Sequence, residues 1–204
     1  LSTAGNQLWT QGNLGLLDLA ETGDEFGYAL ASGDFNNDTF DDLAIGVPDE
    51  DVGAIVDSGA VAALYGASTG LAATNNQFWT QQVSGIIDAS ETGDLFGHDL
   101  CIGNFNGDAR DDLAIGIRDE DLGALSNAGA ACILLGGAAG LKSVGNQFFS
   151  QDSPGIRGAA AIGENFGDGV FAGDFDNDGF DDLALGVHDD DVGGVIVARP
   201  GNIT

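Results

Sequence analysis

The feature that most constrains the fold of this chain is an internal repeat of 70 residues. Residues 34–46, with the sequence DFNNDTFDDLAIG, return as residues 104–116 and again as residues 174–186. Residues 6–11 and the Phe-Gly pair at residues 26–27 recur at the same offset. Repeats of this length indicate an architecture in which one structural unit is used several times. We therefore predict three copies of one unit, the third shortened before its last strand.

Each unit contains four short apolar runs that are bounded by Gly, Asp, Asn or Ser. In the first unit these runs are residues 26–33, 43–47, 59–66 and 76–81. Such runs are typical of β-strands, and no segment carries a convincing apolar stripe at helical spacing. Four antiparallel strands at this period predict an all-β fold made of β-propeller blades. A parallel β-helix is the alternative, but its period is much shorter.

The units divide the chain into a single repeat region, residues 1–204, with repeats at about 12–81, 82–151 and 152–204. Residues 6–11 add a strand of the fourth type, and residues 194–198 form a strand of the third type. Propellers close with this strand order, but three blades cannot close a ring alone. We therefore expect a homodimer, in which two chains exchange this strand to complete one ring. A fragment of a longer propeller is the open alternative.

Because strand direction alternates, the turns lie on two opposite faces. The turn at residues 34–42 shares one face with the connection 67–75, and the longer connections 12–25 and 48–58 lie on the second face. Long loops on a rigid scaffold commonly carry binding function. We therefore expect recognition on the second face, which is also acidic. Its acids in the first unit are Asp18, Glu21, Asp24, Glu25, Asp49, Glu50 and Asp51.

The repeated turn predicts a divalent-cation site. Side-chain oxygens at its first, third, fifth and ninth positions, with the carbonyl of the seventh, can surround one ion in the manner that calcium prefers. The predicted ligands are Asp34, Asn36, Asp38, the carbonyl of Phe40 and Asp42; Asn104, Asn106, Asp108, the carbonyl of Arg110 and Asp112; and Asp174, Asp176, Asp178, the carbonyl of Phe180 and Asp182.

The number of carboxylates ranks the three turns. The ligand sets carry three carboxylates in the first turn, two in the second and four in the third. We predict up to three calcium ions, bound most strongly at residues 174–182 and most weakly at residues 104–112. A solvated turn without metal is the alternative for any single copy, but the threefold recurrence favours a cation.

Charge and hydropathy exclude several classes of partner. The chain has 33 acidic and 5 basic residues, for a formal net charge of −28. Such a chain is repelled by nucleic acid and by anionic membranes. No apolar run is long enough to span a bilayer, so we expect no direct membrane insertion. The acidic composition and the predicted calcium dependence favour an extracellular or cell-surface location.

The remaining chemically active residues are interpreted as structural. Cys101 and Cys132 lie on the first and third strands of one unit, roughly 9–10 Å apart, so we predict two buried free thiols. His98 is interpreted as tolerated variation, because the other units carry Tyr28 and Asp168 at its position. The acids at residues 49–51, 119–121 and 189–191 are interpreted as solvated, with a second cation role as the alternative. No catalytic residues are predicted, and the chain is not expected to be an enzyme.

The Phe-Gly pairs, the acidic turn, Val47-Pro48 and Tyr65-Gly66 together resemble the FG-GAP repeats of the integrin α N-terminal propeller. The sequence GVPDEDVG, followed by LYGASTGLAATNNQFWTQ, is especially similar to bacterial secreted integrin-like proteins. The resemblance covers essentially the whole chain and implies calcium in the turn and ligand recognition on the opposite face. The chain departs from the family at Arg118 and His188, which replace Pro, and in having three repeats where seven are usual.

Together these patterns predict a calcium-stabilised extracellular binding or adhesion module that recognises a protein or a glycan. The predicted recognition loops lie opposite the acidic turns. A lectin and a non-catalytic accessory domain of a secreted hydrolase are the alternatives, and the sequence does not identify the ligand.

Overall fold

The computed structural model of the chain describes residues 4–12, 15–188 and 194–198. These residues form three antiparallel sheets, called here blades 1 to 3, and none of them lies in a helix. Blade 1 consists of β1 (Leu30–Gly33), β2 (Asp42–Val47), β3 (Ala60–Tyr65) and β4 (Ala72–Trp79). Blade 2 consists of β5 (Phe96–Gly103), β6 (Asp112–Ile117), β7 (Ala130–Leu135) and β8 (Lys142–Phe149). Blade 3 has β9 (Phe166–Gly173), β10 (Asp182–Val187) and β11 (Gly194–Ala198).

The strand order confirms the predicted all-β class with antiparallel blades. Each strand pairs with the next one along the chain, so that each blade is a meander. The second and third strands lie within one residue of their predicted limits. The fourth strand begins at Ala72 rather than at residue 76, and it ends at Trp79 rather than at residue 81. An irregularity in the β3–β4 pairing, between Ala63 and Tyr65, lets the strand continue where the sequence suggested a loop.

The first strand has its predicted extent in blades 2 and 3 but is shorter in blade 1. In blade 2 the backbone N–H of Phe96 donates to the carbonyl of Ser58 in blade 1, at 3.1 Å. The equivalent Phe166 of blade 3 donates to Ala128 of blade 2, at 3.0 Å. No described blade precedes blade 1. The predicted start at residue 26 is therefore wrong for this blade, in which β1 begins at Leu30.

The predicted strand at residues 6–11 is also wrong, since these residues lie in no strand. The segment nevertheless lies beside blade 1 in the position that β4 takes beside blade 2. The amide nitrogen of Gln7 donates to the carbonyl of Leu71 at 2.8 Å, as that of Gln77 in β4 donates to Leu141 at 3.0 Å. A strand needs a partner for its backbone ladder, and the described residues supply no third-type strand beside this segment.

The core lies between successive blades. Phe35 and Val61 of blade 1 pack with Phe96 and Ile115 of blade 2, and these four side chains are fully buried. A second cluster joins blades 2 and 3 in the same way. A Cβ atom added to Gly46 would lie 2.2 Å from the carbonyl oxygen of Gly97 in the next blade. The small residues of the second strand therefore permit the close packing of successive blades.

Both cysteines are free, as predicted. Cys101 lies on β5 and Cys132 on β7, with β6 between them. Cys132 is fully buried, whereas Cys101 is only partly buried. The part of the chain that the structure describes contains no helix that is long and apolar enough to cross a membrane.

Candidate metal sites and inter-blade contacts

The acidic turn joins the first and second strands of each blade, at the predicted place. In blade 1 the carboxylate of Asp34 accepts the backbone N–H groups of Asp38 and Thr39, at 3.0 and 2.8 Å. In blade 3 Asp174 accepts those of Asp178 and Gly179, at 3.0 and 3.1 Å. These bonds curl the backbone around the first residue of the turn. The side chains that follow are thereby directed toward a common centre.

The third turn has the geometry of a cation site. Asp174, Asp176 and Asp178 each offer a carboxylate oxygen, and these oxygens lie within 4.8 Å of one another. Calcium–oxygen bonds of about 2.3–2.6 Å place ligands on opposite sides of an ion about 5 Å apart. In the first turn the side-chain oxygen of Asn36 is buried and has no hydrogen-bond partner. Both turns therefore fit calcium.

The second turn is arranged differently. The amide nitrogen of Asn104 donates to the carbonyl of Asp108 at 2.6 Å, and that of Asn106 donates to Asp112 at 3.3 Å. The guanidinium of Arg110 lies 3.9 Å from the carboxylate of Asp108. Nitrogen donors thus lie beside positions where a cation needs oxygen, while the side-chain oxygen of Asn104, like that of Asn36, is buried without a hydrogen-bond partner. This turn suits calcium less well than the other two.

The carboxylate at the ninth position of the turn is buried and fastens the turn to the third strand. In blade 1 Asp42 accepts the backbone N–H of Phe35 at 3.0 Å and that of Gly66 at 2.8 Å. Burial raises the pKa of Asp42 to about 6, even though both hydrogen bonds favour its ionised form. Asp112 makes the same two contacts in blade 2. This residue therefore has a structural role in addition to its predicted role as a ligand.

The eighth position of the turn links neighbouring blades, and sequence reasoning missed it. The carboxylate of Asp111 in blade 2 accepts the backbone N–H of Asp34 at 2.8 Å, and its own N–H donates to the carbonyl of Asp34 at 3.1 Å. Asp181 in blade 3 makes the same pair of bonds to Asn104, at 2.7 and 3.1 Å. The Asp-Asp pair that ends all three turns was the available signal.

The second face contains buried acids that the sequence suggested were solvated. Glu120 is fully buried and Glu50 is nearly so. The amide nitrogens of Gln81 and Gln11 donate to them, at 2.6 and 2.7 Å. Burial raises the pKa of Glu120 to about 9 and that of Glu50 to about 8. The interpretation as solvated acids is therefore wrong for these two, while residues 189–191 lie outside the described part of the chain.

Similarity to known proteins agrees with this geometry. Residues 26–64 match the model of the FG-GAP repeat. This segment contains the first three strands of blade 1, and a similar sequence recurs at the 70-residue offset in the other blades. The chain is a member of the FG-GAP repeat family.

The relatives of this FG-GAP chain include much longer proteins. It is 30% identical to integrin alpha-PS5 of Drosophila melanogaster over 81% of its own length and 15% of the relative. It is 27% identical to integrin alpha-PS2 of the same organism, over 94% of the chain and 13% of the relative. It is 28% identical to the phosphatidylinositol-glycan-specific phospholipase D of Rattus norvegicus, over 78% and 18% respectively. The chain therefore spans less than a fifth of each of these proteins.

Equivalent residues of the three FG-GAP units meet in a row at the start of the first strands. The rings of Tyr28 and His98 lie 5.0 Å apart, and the Tyr28 hydroxyl is 3.2 Å from the His98 Nε2 atom. His98 is 3.9 Å from the carboxylate of Asp168, which also forms an ion pair with Arg118 at 2.9 Å. The interpretation of His98 as tolerated variation missed this row. Comparing the equivalent residues of the three units in the sequence does not show that their side chains contact one another.

Proposed function

We propose that this FG-GAP chain is a non-enzymatic extracellular binding module whose blades are stabilised by calcium. One observation carries the proposal: the first residue of the acidic turn is both a predicted calcium ligand and the point where the next blade is attached. Asp34 bonds to Asp111 of blade 2 through both its backbone N–H and its carbonyl. An ion that orders the turn around Asp34 thereby orders the contact between the blades.

The charge of the molecule supports the same proposal. A net charge of −28 on 204 residues opposes compaction by self-repulsion. Each calcium ion in a turn cancels two negative charges among the carboxylates of that turn. Extracellular calcium-binding modules commonly have weak sites, which need the high calcium concentration found outside cells. The extracellular location of this chain is inferred on that ground.

Recognition is assigned to the face opposite the acidic turns. The connections on that face expose large apolar side chains, although they belong to a strongly acidic surface. These side chains are Leu17, Leu19, Val56, Ile87 and Ile162. Loops on a rigid scaffold commonly carry binding function, and exposed apolar side chains give them surface for contact with a ligand. We assign to this surface an extracellular protein or glycan ligand.

The similarity to a phospholipase D supports a second candidate, a non-catalytic accessory domain of a secreted hydrolase. An enzyme assay distinguishes a non-catalytic accessory domain from a chain that is itself an enzyme. The isolated chain is expected to release no product from phosphatidylinositol-glycan, polysaccharide or ester substrates. A glycan array then distinguishes a lectin, which binds discrete glycans, from a module that binds protein.

Chelation tests the role of calcium. We expect excess EDTA to lower the melting temperature at modest salt, and calcium to restore it. The variant Asp178→Asn keeps an oxygen that can accept the N–H of Phe180 but removes a carboxylate from the best-formed site. It should lose most of the calcium-dependent rise in melting temperature that this turn contributes, because the ion loses a charged ligand.

The matched control is Asp108→Asn in the second turn, where nitrogen donors already crowd the centre. Its melting temperature should respond to calcium as that of the parent does. Equal melting curves with and without chelator for the parent chain contradict the proposal.

The two ends of the blade row support a further partner, a second copy of the chain. Blade 3 exposes an apolar face on its outer side, and β11 is paired only with β10 among the described strands. Blade 1 exposes Leu30 on the face that blades 2 and 3 use to contact the preceding blade. The repeat makes these two surfaces complementary. We assign the contact to two chains that complete one ring, as a homodimer.

A further inference from the structure

A second group of carboxylates lies on the face opposite the acidic turns. Glu91, Asp94 and Glu120 each offer an oxygen, and these oxygens lie within 4.8 Å of one another. Asp94 and Glu120 are almost completely buried, whereas Glu91 is exposed and forms the mouth of the group. Glu21, Asp24 and Glu50 repeat the arrangement in blade 1, with the same pattern of burial. We call these two groups the acid pockets.

An unpartnered oxygen belongs to the pocket of blade 2 in addition to its carboxylates. The side-chain oxygen of Gln81 is buried and has no hydrogen-bond partner, and only 2% of this residue is exposed. Its amide nitrogen is 2.6 Å from Glu120. The two atoms of an amide are about 2.2 Å apart, so the unpartnered oxygen lies within about 5 Å of the same carboxylate. One oxygen of Glu120 is also buried without a partner.

No described Lys or Arg side chain neutralises the acid pockets. The ion pairs of Arg110 and Arg118 involve only Asp108, Asp119 and Asp168. Burying several carboxylates without a positive partner is strongly unfavourable. In agreement, burial raises the pKa of Glu120 to about 9 and that of Asp94 to about 6. The pocket therefore concentrates negative charge that a divalent cation would neutralise.

The third unit shows that the loop keeps its contact without the exposed acid at the mouth of the pocket. Ala161 replaces Glu91 and Gly158 replaces Asp88 at the equivalent positions. The backbone N–H of Ala161 still donates to Glu164, at 2.9 Å, as that of Glu91 donates to Asp94 at 2.5 Å. The loop contact is thus kept without the exposed acid, with Glu164 in place of Asp94. The exposed acid of the first two units requires a different explanation.

We propose that each acid pocket binds a divalent cation, of which calcium is the best match, on the face opposite the acidic turns. In blade 2 the ligands are Glu91, Asp94 and Glu120. The amide of Gln81, whose nitrogen donates to Glu120, adds a neutral fourth ligand when it turns its oxygen toward the ion. The set consists entirely of oxygen, as hard cations require. The mouth of the pocket lies in the loops that carry the proposed recognition surface. The ion ties the connection before β5 to the connection after β6.

Counting ions by native mass spectrometry tests this proposal. The chain is first freed of metal and then titrated with calcium chloride. The variant Glu120→Gln has nearly the shape of a protonated glutamate, so the metal-free variant should melt close to the parent. It should bind one calcium ion fewer than the parent and lose the part of the calcium-dependent rise in melting temperature that comes from this pocket.

The corresponding variant in blade 1, Glu50→Gln, should remove one ion as well, and the double variant should remove two. Asp178→Asn separates this proposal from calcium binding in the turns, because it should leave the ions of the acid pockets in place. If Glu120→Gln binds as many ions as the parent, with an unchanged response to calcium, the pocket holds shared protons rather than metal and the proposal is wrong.

Discussion

Burial makes the two thiols of this chain unusually weak acids. It raises the pKa of both Cys101 and Cys132 to about 12, and nearby carboxylates act in the same direction. The thiolate is the form that reacts with alkylating reagents. At pH 8 a pKa of about 12 leaves roughly one thiol in ten thousand ionised. These cysteines are therefore packing residues rather than nucleophiles.

We predict that iodoacetamide at pH 8 leaves both cysteines of the folded chain largely unmodified over an hour. In guanidinium chloride both should react within minutes, because unfolding restores an ordinary pKa. Cys101 is partly exposed, so it should react before Cys132 as the folded chain is destabilised. Mass spectrometry of tryptic peptides measures both rates. Rapid labelling of Cys132 in the native chain is the contrary result.

For individual residues, the position of the acidic turn could be predicted from the sequence, whereas the burial of the acids in the acid pockets could not. The turn is local, since its polar positions lie within nine residues and recur three times. Glu120 stands between Asp119 and Asp121 and looks like either of them in the sequence. Its burial depends on Gln81, which lies 39 residues away. A contact over that distance cannot be inferred from the spacing of the acids alone.

The elements follow from local turn chemistry, but their ends depend on neighbours. Apolar runs between glycines and aspartates were enough to locate the second and third strands. The short β1 and the irregular segment at residues 6–10 were not foreseen, because each lacks the adjacent blade or strand that completes it elsewhere. Whether a segment forms a strand in this molecule thus depends partly on the blade or strand next to it.

Blades are connected through Asp111 and Asp181, and this contact can be tested by substitution. We predict that Asp111→Ala lowers the free energy of unfolding by about 1–2 kcal/mol, because the N–H of Asp34 loses its acceptor. Urea denaturation in EDTA measures the difference without a contribution from calcium. The melting transition should also become less cooperative if blade 1 separates from blade 2.

Asp41 provides the matched control, since it holds the same position in blade 1, where no described blade precedes it. Asp41→Ala should change the free energy of unfolding by less than about 0.5 kcal/mol when light scattering shows a monomer. Equal losses in the two variants contradict the assignment of Asp111 as an inter-blade contact.

In the whole molecule, equivalent residues have different exposure at the ends of the blade row. Phe35 and Phe105 are fully buried by the following blade, whereas the equivalent Phe175 of blade 3 is 59% exposed. Leu100 is 7% exposed against the preceding blade, whereas Leu30 of blade 1 is 61% exposed. The repeat explains both differences, because each residue belongs to a surface that another blade covers elsewhere. Among the described residues, the row of blades is therefore open at two complementary faces.

The proposed homodimer, in which a second copy covers both faces, has a defined mass, and a single substitution on one of these faces should disrupt it. We predict that light scattering at micromolar concentration gives about twice the chain mass of 20.6 kDa. Phe171 lies beside Ala184 and Val197 on the open face of blade 3, and Phe171→Asp should yield a monomer because it buries a charge in the contact. Val144→Asp, at an equally exposed position on β8, should remain a dimer. A parent chain that stays monomeric throughout this range contradicts the dimer. A dimer that survives Phe171→Asp places the contact elsewhere on the molecule.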